Sequence, residues 1–376
     1  VDDLRERFER GAVVAGVLSG TSADGIDVVV ARIAARDGLL APPETIAFAV
    51  EPLEGDLRRR SRDALDARGV ALLSRDFGRA FGRAAKRVAQ RGGVRLDLVA
   101  SHGQTVWHHD GVEPTGSATL QLGDGDFVAE EAGCAVASDF RARDVAAGGE
   151  GAPLSALADG LVFARAPRPA AILNLGGLAN LTFLGGREDE ILAFDTGPAG
   201  SLLDGLAKRL LDRSRDEDGA AAAAGTADRT LLAALLEHPF FERRPPKSTG
   251  RDTFGEPYVD AFVRRAGRAR AEDVLRTGVE LVAASVVLAL ERFAPARPET
   301  LFVAGGGVRN RTLMRALAER APCRVASSEE AGVDPKAREA LVFAVLGARC
   351  ALGIPSTHEG ATGARRGRVL GKLSRA

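Results

Sequence analysis

The chain has 376 residues, 45% hydrophobic and 27% charged, with 51 basic and 51 acidic side chains and no formal net charge. That length suits roughly two domains with real cores, and the balance of charge points away from nucleic acid or an anionic membrane as partner. Three scattered cysteines, Cys134, Cys323 and Cys350, argue against a disulfide framework or a cysteine-zinc site and fit a reducing cytoplasm.

Strands and helices alternate along the chain, which predicts an α/β fold. The charged N-terminus VDDLRERFER reads as helical. Residues 13–18 and 26–33 read as two buried strands around GVLSGTSADGID (16–27). A plain hairpin needs only Asn-Gly or Asp-Gly, so this bend carries more hydroxyl and acidic groups than a turn requires. Residues 55–91 read as two helices broken near Gly69, with Leu72, Leu73, Phe77, Phe81 and Ala85 on one face. DLVAS (97–101) is a short strand ending at His102. ATLQLG (118–123) and AVASD (135–139) are further strands, and Pro153 opens a helix running to about Ala164. The opening pattern then recurs, since AAILNLGGLANLTFLGG (170–186) is again strand, glycine-rich bend, strand. EILAFD (190–195) is a strand running into DTGPAG and a helix. Helices follow at 228–237, 257–267 and 271–292. The run LVAASVVLAL (281–290) is too short to span a bilayer. ETLFVAGGG (299–307) is a strand, followed by a helix, a long helix at about 335–352, and a final turn and strand (362–373). The Gly- and charge-rich RARDVAAGGEGAP places a domain boundary near 140–150.

Four glycine-rich bends follow apolar segments: 19–25, 175–180, 194–200 and 303–310. One alone is turn chemistry; four, two of them carrying Asp, point to phosphate binding by backbone N–H groups. No GxxxxGK[ST] or GxGxxG occurs, which excludes a Walker-type NTPase and weakens a dinucleotide site. Asp195, after an apolar strand, can act as a general base; the alternative is a helix N-cap. Asp24 suits Mg²⁺ held through water, while Asp27 stays open between that role and an Asx-turn. SHGQTVWHH (101–109) lacks zinc spacing and reads as a substrate-contact loop or a strand end closed by His. In SDFRARD (138–144), Arg141 and Arg143 can clamp a carboxylate, or form a solvated charge run. PKSTGRDTFG (246–255) reads as a mobile loop whose Lys247 and Arg251 reach anions. DFG (76–78) falls inside a helical pattern and is no kinase signature.

These blocks together resemble the anhydro-N-acetylmuramic acid kinase family of the actin/hexokinase/Hsp70-like ATPase superfamily. The resemblance runs through SGTSADGID (19–27), SHGQTVWH (101–108), LQLGDG (120–125), SDFRARDVAAGGEGAPL (138–154), NLGGLANLT (174–182), FDTGPAGSLLD (194–204), PKSTGRDTFG (246–255), GGGVRN (305–310), REALVFAVLG (338–347) and TGARRGRVLG (362–371). It implies an α/β, two-lobed actin-like ATPase with ribonuclease-H-like lobes and an interdomain nucleotide cleft. The first lobe is expected at 1–140 with a returning segment at about 355–376, and the second at 141–354. The implied activity uses ATP and Mg²⁺ to open and phosphorylate 1,6-anhydro-N-acetylmuramic acid, for recycling of cell-wall sugars. Asp195 matches the catalytic base and Glu339 a glutamate near the sugar. ATP is expected at Gly20, Thr21, Ser22, Ala23, Asp24, Gly25, Ile26 and Asp27, at Asn174, Gly176 and Gly177, and at Gly305, Gly306, Gly307 and Asn310, with Mg²⁺ at Asp24. Substrate contacts are expected from His102, Gln104, Thr105, Arg141, Arg143 and Asp144. A cytoplasmic homodimer acting on a small anhydro-sugar is implied. The chain departs from the family pattern at Ala199, Gly200, Glu150 and Ala23. Those departures keep open a kinase for another anhydro- or acidic sugar; an actin-like structural or chaperone ATPase is the remaining alternative.

Overall fold

The computed structural model describes residues 2–20, 25–53, 55–61, 65–110, 116–187, 190–365 and 367–376. In chain order its strands begin with β1 (Ala12–Ser19), β2 (Ile26–Ile33), β3 (Ala35–Arg36), β4 (Leu39–Leu40), β5 (Glu44–Glu51), β6 (Leu98–Asp110), β7 (Ser117–Leu122) and β8 (Ala135–Ser138). They continue with β9 (Ala170–Leu175), β10 (Leu178–Leu184), β11 (Leu192–Pro198), β12 (Thr300–Ala304), β13 (Arg324–Ser327) and β14 (Lys372–Ser374).

The chain divides into two compact units: residues up to Ala164 together with Lys336–Ala376, and Arg165–Pro335. The first holds a sheet in the order β14-β8-β6-β1-β2-β5, with β7 on β6. Here β1 pairs antiparallel with β2 and parallel with β6, β2 antiparallel with β5, and β6 parallel with β8. The second holds β11-β10-β9-β12-β13, with β9–β10 and β10–β11 antiparallel and β9–β12 and β12–β13 parallel. Thus β5-β2-β1-β6-β8 and β11-β10-β9-β12-β13 share one order and one set of directions. The recurrence of strand, bend and strand in the sequence is this duplicated, ribonuclease-H-like topology.

Local physics explains the elements. Every position of β1 is buried, as a central strand covered on both faces requires. The helix Ala67–Arg91 buries Leu73, Phe77, Phe81, Ala85 and Val88 against the first sheet. As expected, 55–91 holds two helices, Leu57–Arg60 and Ala67–Arg91; the second starts just before Gly69, where Asp66 caps it, its Oδ1 accepting from the Gly69 N–H at 2.7 Å. The core of the second unit gathers Leu173, Phe194, Leu206, Val282 and Leu301.

Three expectations are corrected here. Residues 141–164 and 336–354 belong to the first unit, not the second. The glycine-rich stretch near 145–151 is no linker but a tight turn around buried Asp144, which accepts from the Gly151 N–H and the Thr362 hydroxyl, each at 2.9 Å. The helix expected to open at Pro153 begins at Ala156. Among the described residues no helix is long and apolar enough to cross a membrane, and the three cysteines are free.

Candidate functional site

In the first unit, Thr21, Ser22, Ala23 and Asp24 lie outside the described residues, so the flanks define the site. Gln104, on β6, stands in register with Ser19 at the end of β1. Its amide donates to the Gly20 carbonyl at 3.2 Å, so Gln104 anchors the bend. Its Oε1, with the hydroxyls of Ser19 and Ser101, is buried without a partner among the described residues. Orphaned polar atoms cost about 1–3 kcal/mol each, so these, at the paired ends of β1 and β6 leading to Gly20, fit a polar, hydrogen-bonding ligand such as a phosphate. Gly25 is buried and the Ile26 side chain lies in the core; both can offer only backbone to a ligand.

Asp27, on β2, has its carboxyl pushed up to about 6 by burial and then by Glu339, with Lys336 opposing. Glu339 sits in the first turn of the helix Arg338–Leu352. No cluster of three metal-ligating side chains occurs among the described residues. Mg²⁺, however, takes one or two carboxylates and completes its shell with water and phosphate, so Asp27 beside Glu339 is a fitting donor. The strain has a sign. A carboxyl whose folded pKa exceeds its unfolded value of 3.8 favours folding at low pH, and that contribution disappears as pH rises through about 6. Asp27→Asn is therefore expected to raise the melting temperature by a few degrees at pH 8 and by less at pH 5. Melting curves at the two pH values check this; an equal shift at both would refute it.

The expected substrate loop at 101–109 is strand: β6 continues to Asp110 because β7 pairs with its outer half. His102 is buried. Its Nδ1 lies 3.1 Å from the Gly103 carbonyl and its Nε2 accepts from Arg141 Nε at 2.8 Å. Those two partners fix the neutral tautomer, and burial followed by Arg141 holds the imidazole pKa well below its usual value. His102 thus orients Arg141, which also donates to the Gly151 carbonyl at 2.8 Å. Thr105 accepts from Gln121 at 3.3 Å. Arg143 is half-buried. Asp144 is buried and anchors a turn, its two oxygens accepting from the Thr362 hydroxyl and the Gly151 N–H.

In the second unit Asp195 is not at a strand end, because β11 runs on to Pro198. The helix Gly200–Leu211 is preceded by Ala199 at its cap position, so the capping alternative for Asp195 falls. Asp195 stands in register with Asn180 of β10, and Asn180 with Asn174 of β9. A row of three polar side chains thus crosses three strands that are mostly buried and apolar. Asn180 was not singled out from sequence; its signal is the pair of Asn bracketing the GlyGly bend. The Asp195 N–H donates to the Lys247 carbonyl at 3.0 Å, and the Thr249 N–H donates to Asp195 Oδ2 at 2.9 Å. The hydroxyls of Ser248 and Thr249 are buried without partners among the described residues, a second spot that fits a polar ligand. Lys247 is corrected from mobile anion-seeker to core residue, 1% exposed. The Arg251 side chain lies outside the described residues.

The bend at Gly176 and Gly177 is locked to the helix Gly200–Leu211. Its carbonyls accept from the N–H groups of Ala199, Gly200 and Ser201 at 2.9–3.1 Å, so those amides are consumed internally. A Cβ at Gly200 would lie 2.8 Å from the Gly176 carbonyl, and Ala199 is fully buried. Both departures from the family pattern are therefore absorbed by packing. At the third bend, Gly305 adopts φ +84°, and Cβ atoms at Gly305 or Gly307 would strike Leu175, whereas Gly306 faces open space. Gly306 is the member of that run open to a ligand. Asn310 caps the helix Arg311–Arg320, its side-chain oxygen accepting from the Leu313 N–H at 2.9 Å.

The family whose sequence model matches is described as "Anhydro-N-acetylmuramic acid kinase", over residues 12–376. A protein of that name from Salinibacter ruber is 41% identical over 392 residues, spanning 99% of this chain and 98% of its own. One from Gloeobacter violaceus is 39% identical over 371 residues, spanning 95% and 97%. Among solved structures, the activator of the 2-hydroxyisocaproyl-CoA dehydratase from Clostridium difficile with bound ADPNP aligns with 89% of this chain and 94% of its own, at 16% identity and a TM-score of 0.42. With the family pattern matched from residue 12 to residue 376, the chain belongs to the anhydro-N-acetylmuramic acid kinase family.

Proposed function

We propose that the chain transfers the γ-phosphoryl group of ATP to O6 of 1,6-anhydro-N-acetylmuramic acid while water opens the anhydro bridge, giving N-acetylmuramic acid 6-phosphate for reuse of cell-wall sugar. The observation that carries the reading is Asp195, buried on β11 and held from both sides by residues 247–249, in a chain that matches this kinase family almost throughout. Asp195 takes a proton from the attacking water as its oxygen bonds to the anomeric carbon. The carbon–O6 bond breaks, and O6 bonds to phosphorus as ADP leaves. The Ser248 and Thr249 hydroxyls, buried in the segment that holds Asp195 and without partners among the described residues, are assigned to that water. Arg141, oriented by His102, and Arg143 are assigned to the lactyl carboxylate. Glu339 is assigned to the sugar. Asp27 and the expected Asp24 would hold Mg²⁺, which would supply charge neutralisation for the transferring group. Gly20, Gly25 and Gly306 give backbone access for the nucleotide. A cytoplasmic homodimer completes the reading.

The test is ADP release from Mg·ATP with and without the anhydro-sugar. The expected result is release that depends on the sugar, with one sugar phosphate formed per ADP. Release that ignores the sugar would overturn the reading in favour of a structural ATPase.

A further inference from the structure

Lys247 is buried to 1% exposure among rings. Its Nζ lies 4.6 Å from the Phe240 ring centroid, 5.0 Å from Phe293 and 5.7 Å from Phe194, and donates to the Phe240 carbonyl at 3.2 Å. A buried cation is costly unless compensated, and ring faces with one carbonyl compensate it only in part. The cage is joined to the general base at two points. Phe194, one wall, directly precedes Asp195 on β11. The Lys247 carbonyl receives the Asp195 N–H, and two residues on, the Thr249 N–H holds the Asp195 carboxylate.

We propose that Lys247 is a positioning residue for Asp195: its caged ammonium fixes the segment 247–249 against β11 and thereby the direction of the Asp195 carboxylate. This rests on Asp195 being the base in the reading above. The charged groups acting on the ammonium are Asp195, which favours it, and Arg243 and Arg292, which oppose it. Burial, foremost, and the two arginines bring the amine down to about 8. The positioning charge is therefore lost in mildly alkaline solution, and turnover falls there with it.

The experiment compares the full-length wild type with Lys247→Met, Lys247→Arg and Asp195→Asn, measuring kcat and KM across the alkaline range. Lys247→Met is expected to lower kcat about ten- to a hundredfold, the order a small misplacement costs, with KM little changed and no alkaline limb near pH 8. Lys247→Arg, charged throughout, keeps the activity and moves the limb away from pH 8. A Met variant with wild-type kcat, or one that keeps the limb, overturns the inference. If Asp195→Asn turns over normally, the functional reading fails and takes this inference with it. If Asp195→Asn is dead and Lys247→Met is not, only the inference fails. Should the variants not fold, the wild type still decides, because the chain has only five lysines. In ε-¹³C-lysine-labelled protein, one resonance is expected to titrate together with the alkaline limb; five resonances still protonated well above pH 8 overturn the proposal.

Discussion

Asp195→Asn is expected to lower kcat about a hundred- to ten-thousandfold, the usual contribution of a positioned general base, while leaving the affinity for ATP and sugar nearly intact. The geometry makes this a clean substitution. An Asn side chain is the same size, and its carboxamide oxygen can accept the Thr249 N–H that Asp195 Oδ2 now accepts at 2.9 Å. The Asp195 N–H keeps its bond to the Lys247 carbonyl. What disappears is the ability to take a proton from water. Because that ability matters only at the transition state, kcat and kcat/KM should fall in parallel. Steady-state kinetics on the purified variant, with nucleotide binding measured separately, check this. A variant retaining most of its turnover would remove Asp195 from the chemistry.

The second large effect concerns stability. Arg338 and Asp159 form a two-point ion pair, Nε to Oδ1 at 3.0 Å and Nη2 to Oδ2, with side chains 2% and 0% exposed. The pair ties the helix Ala156–Val162 to the first turn of the helix Arg338–Leu352, one residue before Glu339. Removing one member strands a buried charge. Arg338→Met is therefore expected to cost about 3–5 kcal/mol, roughly 6–20 °C in melting temperature for a unit of this size. The double variant Arg338→Met/Asp159→Leu is expected to recover most of that loss, since a well-packed apolar pair can replace a buried ion pair. A double-mutant cycle by thermal unfolding measures the difference; equal losses in the single and double variants would show that packing, not charge, holds the helix.

Much of this was legible in the sequence, for physical reasons. The strands 13–18, 26–33 and 170–175 announce themselves by their largely apolar runs, and the helix at 271–293 by its period. The opening bend and Asp195 stood out because their residue types exceed what a turn needs. The failures came where a distant partner overrides local signals. Gly103 at φ +85° looked like the end of a strand, yet β7 carries β6 on to Asp110. The glycines near 148–151 looked like a linker, yet Thr362, more than two hundred residues away, closes them around Asp144. Lys247 looked like a surface cation because lysine almost always is one; three phenylalanines from separate stretches of chain make its cage. Asn180 was missed because its meaning lies in cross-strand register with Asn174 and Asp195.

The division of the chain also sets an order of assembly. Residues 165–335 form the second unit in one uninterrupted run, whereas the first draws on both sides of it. During synthesis the second unit has all its residues before the helix Arg338–Leu352 exists. That helix packs on β1, β2 and β6, so until it emerges the first sheet holds an apolar face without its cover. The nascent chain then carries one unit able to finish folding and another waiting, its Val- and Ala-rich strands open to other chains or to a chaperone. Ribosome-bound intermediates of this protein are for that reason expected to be asymmetric, the later-made unit closing first.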